Sequence, residues 1–190
     1  MKNNPKALRW LKEGKKRFAN DGINGINIKE MSKSIGVAKT SFYFHFNTKK
    51  EYLKHLYNYW IEDGSLRIIN ILSVIDDPYA RFKKLFELAF RNVENERFLF
   101  KMREYSRIDK TTKSILDKVE KKRVKLLTGI LTELGFTILE AKKKALGIYM
   151  YTLGFYEFHL NKTISKKLVD ETVNEMIFLF HINKHNSKGL

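Results

Sequence analysis

Positions 39–49 hold Lys39, Thr40, Ser41, Tyr43, His45 and Lys49, side chains that can donate to or accept from a base edge or a phosphate oxygen. Recognition in the major groove of DNA is the chemistry they suit. Something must aim them. Phe42 and Phe46, four residues apart, are placed to face inward, which leaves Lys39, Thr40, Ser41 and Tyr43 to face outward. Residues 38–44 suffice for about two helical turns, and a short polar-faced helix fits the major groove of DNA. Taken singly, His45 reads equally well as a surface residue and Tyr43 as a core ring with its hydroxyl at the edge.

The preceding stretch supplies the support. Asn27 followed by Glu30 is a variant of the capping box and predicts a helix start near Ile28. Ile28, Met31 and Ile35 share one face of that helix. Gly36 ends it by turning the chain through a left-handed conformation, and Val37 plugs the turn. Helix, glycine turn and short polar-faced helix make a helix-turn-helix. Thr48 and Glu51 form a second capping box, so Lys49 falls in the first turn of the next helix, where its ammonium and the backbone donors can meet one phosphate.

FANDG at 18–22, NIKEMSKSIGV at 27–37 and YFHFNTKKEYL at 43–53 resemble the DNA-binding domain of the tetracycline-repressor (TetR) family. Trp10 and Gly14 depart from the small aliphatic and alanine usual in the family's first helix, and Met31-Ser32 replaces the common Ile-Ala. The resemblance implies an all-α protein of about nine helices. Its parts would be an N-terminal three-helix helix-turn-helix DNA-binding domain at 1–48 and a C-terminal helical ligand-binding and dimerisation domain at 49–190. It places Asn27, Lys29, Lys39, Thr40, Ser41, Tyr43, His45 and Lys49 at the DNA.

Composition agrees with the helical class. The 190 residues are 43% hydrophobic with two prolines, enough for a core and few helix breakers. Net charge is +16, and residues 1–50 hold 12 Lys/Arg against 3 Asp/Glu. That concentration of charge is the footprint of a polyanion-binding face. Lys121–Arg123 and 142–144 read instead as solvated surface. The absence of cysteine excludes disulfides, thiol nucleophiles and cysteine-zinc sites. With no apolar run at the amino terminus, a cytoplasmic location is expected.

Asn4-Pro5 predicts a first helix to about residue 20, with Leu8, Leu11, Gly14 and Phe18 packing on the reading head and Gly14 allowing close approach. A fourth helix from 49 reaches 72 if Gly64 is tolerated. Asp77-Pro78 opens another, followed by helices over 95–107 and 112–134, and Thr137 with Glu140 caps the next. Residues 145–160 are apolar nearly all round, yet they fall short of the ~20 residues of a membrane span and include Glu157. No membrane association is expected, and such a helix must be covered on every side. Gly147 and Gly154, seven apart, lie on one stripe.

The last helix, 165–183, has its own stripe in Leu168, Val169, Val173, Met176, Ile177 and Phe180. The resemblance implies that these two helices pair with their copies in a homodimer, through Gly147, Tyr151, Gly154, Phe158, Val169, Val173, Met176 and Phe180. Intramolecular core is the competing reading, and 183–190 reads as a frayed tail.

These features point to a sequence-specific transcriptional regulator. By resemblance it is a repressor on a palindromic operator of double-stranded DNA, released by a small-molecule inducer of unknown identity. Trp60, Phe86, Phe90, Met102, Tyr105, Tyr149 and Tyr156 are candidates for the inducer pocket, although each also suits a core. A nonspecific DNA-binding protein without an inducer is the alternative. Nothing suggests an enzyme: no phosphate-cradling glycine loop and no paired carboxylates are present. His181 and His185 have a metal-compatible spacing but no evident third ligand, so no metal or cofactor is expected.

Overall fold

The computed structural model describes residues 4–159 and 162–183, which are helical with no strand among them. The Asn4 side chain accepts from the Lys6 and Ala7 amides, and Pro5 sits in the first turn, so α1 (Pro5–Asp21) begins where the sequence predicts. A 3₁₀ turn, Gly22–Gly25, links it to α2 (Ile28–Ile35). Gly36 then takes φ 64°, ψ 38°, and the Val37 amide reaches back to the Ser32 carbonyl at 3.1 Å. This left-handed cap needs glycine. It hands the chain to α3 (Lys39–Phe46), and Thr48 caps α4 (Lys49–Ile61).

The expected long fourth helix is interrupted. A π turn, Glu62–Leu66, separates α4 from α5 (Arg67–Leu72). It seats Gly64 hard against the Asn95 amide, where a Cβ would lie 2.0 Å from Nδ2. Then come α6 (Pro78–Arg91), capped by Asp77, and α7 (Val93–Ser106). The last three are α8 (Lys110–Glu133), α9 (Ile138–His159) and α10 (Lys166–Leu179), the last capped by Ser165. With α4 and α5 taken as one interrupted helix, the described residues form nine. The expected tail beyond 183 and His185 lie outside the described residues.

Two compact units divide the chain. One comprises the described residues up to Leu66 together with Glu94–Leu116; the other holds Arg67–Val93 and the described residues from Asp117 onward. The first unit therefore encloses the helix-turn-helix and adds α4 and α7 to it. Two aromatic clusters hold it. In one, Phe42 meets Trp10 at 5.2 Å and Tyr52 at 5.0 Å between centroids, and Phe46 meets Tyr52 at 4.9 Å. In the other, Phe98 stacks on Trp60 at 5.1 Å and packs on Phe18 at 4.5 Å. In the second unit Phe90 packs on Phe155 at 4.4 Å, and the Tyr156 hydroxyl donates to the Ala89 carbonyl, which joins α6 to α9.

Gly14 is what lets the first cluster close. The Tyr52 hydroxyl crosses α1 to donate to the Trp10 carbonyl at 2.8 Å, and a Cβ on Gly14 would stand 1.7 Å from that oxygen. Gly14→Ala is expected to lower stability by about 2 kcal/mol, despite the better helix propensity of alanine. Adding Tyr52→Phe should recover part of the loss, read by urea unfolding; equal stability of wild type and Gly14→Ala would refute the contact.

Burial, reinforced by the nearby Glu13 carboxylate, pushes the Tyr52 hydroxyl well above the usual phenol range. The unfolded chain releases this proton first, at a pH of about 10, so stability is complete below that pH and falls above it. The urea midpoint should decline above about pH 10, and less steeply in Tyr52→Phe. Tyr57, raised by burial, keeps the decline from vanishing.

Candidate nucleic-acid interface

The outer face of α3 is set by what its inner face buries. Phe42 and Phe46 are fully enclosed by Trp10 and Tyr52, and this locks the rotation of a helix too short to be stable alone. Lys39 and Thr40 are thereby exposed, and Tyr43 keeps 51% of its surface in solvent. Two residues behave otherwise than expected. Ser41 is half-buried, and its Oγ has neither solvent contact nor a hydrogen-bond partner, so it points into the packing rather than outward. Phe44, which the sequence reading passes over, is 81% exposed. The signal was in the spacing: at 100° per residue, position 44 lies opposite Phe42 and Phe46.

His45 is half-buried, with its ring 5.1 Å from Phe44 and 6.0 Å from Phe46. Asn27 is exposed, but its Oδ1 is committed to the Lys29 and Glu30 amides at 3.0 and 3.3 Å. The capping box there is only half made. Glu30 does not reach back to the Asn27 amide; its carboxylate meets the Asn27 side-chain amide at 3.4 Å and Arg17 at 3.1 Å. Lys29 is exposed beside it.

At α4, the Thr48 hydroxyl takes the Glu51 amide at 3.1 Å. The Lys49 and Lys50 amides have no acceptor within the helix, and both residues are exposed. Among the described residues no carboxylate lies within ion-pair distance of Lys29, Lys39 or Lys49. A run of unpaired cations and open helix donors can bind an extended polyanion, and Tyr43, Phe44 and Thr40 beside them can touch base edges.

No protein-family profile matches the sequence. An uncharacterized HTH-type transcriptional regulator, YuxN of Bacillus subtilis, is 30% identical over 78 residues, 41% of this chain and 27% of that protein; the chain thus spans about a quarter of that relative's length. Among solved structures, a transcriptional regulator from Rhodococcus sp. Rha1 superposes with TM-score 0.76 at 15% identity, over 92% of this chain and 95% of its own. A TetR/AcrR-family regulator from Thermobifida fusca gives 0.65 at 15%, over 93% and 97%.

The chain has the TetR-family fold.

A third solved structure, AibR in complex with isovaleryl coenzyme A and operator DNA, gives TM-score 0.71 at 16% identity, over 90% of this chain and 97% of its own.

The remaining sequence-derived candidates fall in separate places. Trp60, Met102 and Tyr105 belong to the first unit. Trp60 and Met102 are fully buried, the Trp60 indole N–H donating to the Asn95 carbonyl at 2.9 Å. Tyr105 lines a cavity of 380 Å³ within that unit. Phe86, Phe90, Tyr149 and Tyr156 belong to the second unit, where Phe90 lies 5.9 Å from Phe86 and 5.8 Å from Tyr156 between ring centroids.

The expected dimer surface needs correcting. Val169, Val173 and Met176 are buried within the protomer, on the face of α10 that packs against α6. Gly147 is filled from its own chain, by Phe180, whose Cε1 would lie 3.0 Å from an added Cβ. Tyr151 donates to Glu175 at 2.8 Å and meets the Phe180 ring at 6.2 Å. Gly154 faces open space and Phe158 is 76% exposed. Leu146 and Met150 of α9 and Phe178 and Leu179 of α10 are also exposed.

Among the described residues no group of three or more metal-ligating side chains occurs, and no helix is long and apolar enough to cross a membrane.

Ser41→Ala removes an enclosed hydroxyl that has no partner. It should raise stability by about 1 kcal/mol, seen as a higher urea midpoint; a rise no larger than the roughly 0.5 kcal/mol that helix propensity alone gives an exposed serine-to-alanine change would refute the enclosed hydroxyl.

Proposed function

We propose that the chain is a homodimeric, sequence-specific transcriptional regulator, a repressor that leaves a palindromic operator when a small molecule binds its C-terminal domain. The observation that carries the reading is α3, whose buried Phe42 and Phe46 hold Lys39, Thr40, Tyr43 and Phe44 outward beside the unpaired Lys49. In this reading Lys39, Thr40, Tyr43 and Phe44 meet base edges, Phe44 through thymine methyl groups. Asn27, Lys29, His45 and Lys49 meet the phosphates, and the functional boundary falls at residue 48. Ser41 supports the helix from behind.

Two copies would pair through the outward ridge of α9, where Leu146, Met150, Gly154 and Phe158 follow at four-residue intervals, joined by Phe178 and Leu179 of α10. Two heads would then enter major grooves about one helical turn apart. The inducer would act by differential affinity for two head spacings. Phe86, Phe90, Tyr149 and Tyr156 are the pocket candidates that lie in the second unit, and AibR, with its acyl-coenzyme A and operator, is a precedent on this fold.

Selection of bound duplexes from a random pool tests the reading. A palindromic site should emerge and survive excess random DNA; a charge-driven binder would be stripped from it. Lys49→Ala should weaken binding to every sequence and lower the salt slope by about one. Phe44→Ala and Thr40→Ala should relax preference at individual positions, by about 1–3 kcal/mol each. Identical behaviour of all three variants would overturn the division between phosphate and base contacts.

A further inference from the structure

The DNA reading leaves unused the 380 Å³ cavity of the first unit, which opens between the start of α4, the end of α7 and the start of α8. Its floor is apolar and stiff. Leu53 and Tyr57 are buried there, and the Tyr57 hydroxyl is tied to the Thr112 hydroxyl at 3.1 Å. Tyr105 adds a second, half-exposed ring.

The rim is cationic. Lys49, Lys50 and Lys54 line the cavity, all exposed, and none has a carboxylate within ion-pair distance among the described residues. One acid, Asp109, sits in the wall, but it is already engaged. It accepts the Thr112 amide at 2.6 Å to cap α8, and its hydrogen bonds with Thr112 hold its carboxyl below the usual range, with help from Lys50. Three lysines therefore face one committed carboxylate.

Volume and chemistry together select the occupant. The cavity falls in the size range of small-ligand sites. A metal cation is disfavoured by three lysines. A wholly apolar molecule leaves them unused, and inorganic phosphate leaves the tyrosine floor unused. An anion carrying a flat apolar body uses both.

We propose that this cavity is a binding site for a small organic phosphate or carboxylate with an aromatic body, its anionic group held by Lys50 and Lys54 and its ring laid against Tyr105 and Tyr57. Lys49 stands on the same rim, so occupancy and DNA compete for one cation. The site stands on the cavity alone; its coupling to DNA rests on the reading given above.

Titration of the full-length, ¹⁵N-labelled protein with phenyl phosphate, inorganic phosphate and phenol tests the site without DNA. Phenyl phosphate should give saturable amide shifts at Ile23, 49–57 and 105–112, with affinity about tenfold above either fragment. Lys54→Gln, an exposed change, should lower that affinity about tenfold. Shifts that do not saturate, that fall elsewhere, that persist unchanged in Lys54→Gln, or that inorganic phosphate matches at equal concentration would overturn the site. With the selected operator, phenyl phosphate at constant ionic strength should weaken DNA binding by wild type more than by Lys54→Gln. Saturable binding without that difference would overturn the coupling, whereas failure to select any operator would count against the DNA reading and leave the site standing.

Discussion

The fold of the first unit turns on the hydrogen bond from Tyr52 to the Trp10 carbonyl, made across Gly14. An eight-residue helix such as α3 gains too little from its own backbone to persist, so its orientation must come from tertiary packing. Only Phe42 and Phe46 of α3 are buried, and both rest on Tyr52. Tyr52 in turn can sit that low only because α1 has no side chain at position 14. Aromatic pairs of this kind contribute about 0.5–1.5 kcal/mol beyond their area; a small clash beneath them would be felt across the whole outer face.

The cations of the head divide into two populations. Lys15 is buried and bonded to Asp63, with Glu94 at 3.6 Å, and Arg17 bridges Glu13 at 2.6 Å and Glu30 at 3.1 Å. These belong to the architecture, since a buried ammonium without a partner would cost several kcal/mol. Lys29, Lys39 and Lys49 are exposed and have no carboxylate within ion-pair distance among the described residues. Net charge alone does not separate the two groups, and only the second can release counterions from a polyanion.

Much of this was legible in the sequence, because caps and turns depend on local chemistry. Asn4-Pro5, Asn27, Gly36, Thr48, Asp77-Pro78 and Thr137-Glu140 all mark real helix ends, and at the last the Glu140 carboxylate accepts the Thr137 amide at 2.9 Å. What failed depended on tertiary context. With Phe42 and Phe46 inward, 100° per residue already puts Phe44 in solvent, whereas Ser41 stands on the flank, where only the surrounding packing encloses its hydroxyl. The π turn arises where Gly64 meets Asn95, a residue thirty-one positions away. Val169, Val173 and Met176 form a true apolar stripe, but periodicity says only that a stripe is covered, not by which chain.

The same question arises at α9. A helix apolar on all sides has more surface than one neighbour can cover. Ala141, Ala145, Ile148 and Phe155 are buried in the protomer, while Leu146, Met150 and Phe158 remain in solvent. Their four-residue spacing forms a ridge of the kind that packs into the groove of another helix, and Gly154 leaves a notch within it. A surface of this kind, left apolar in a strongly basic chain, suits a two-fold contact, in which each ridge meets the groove beside its own copy. In the proposed dimer the burial of Val169, Val173 and Met176 inside each protomer is then an advantage: it fixes α10 against α6 first, so that Phe178 and Leu179 are presented already in place.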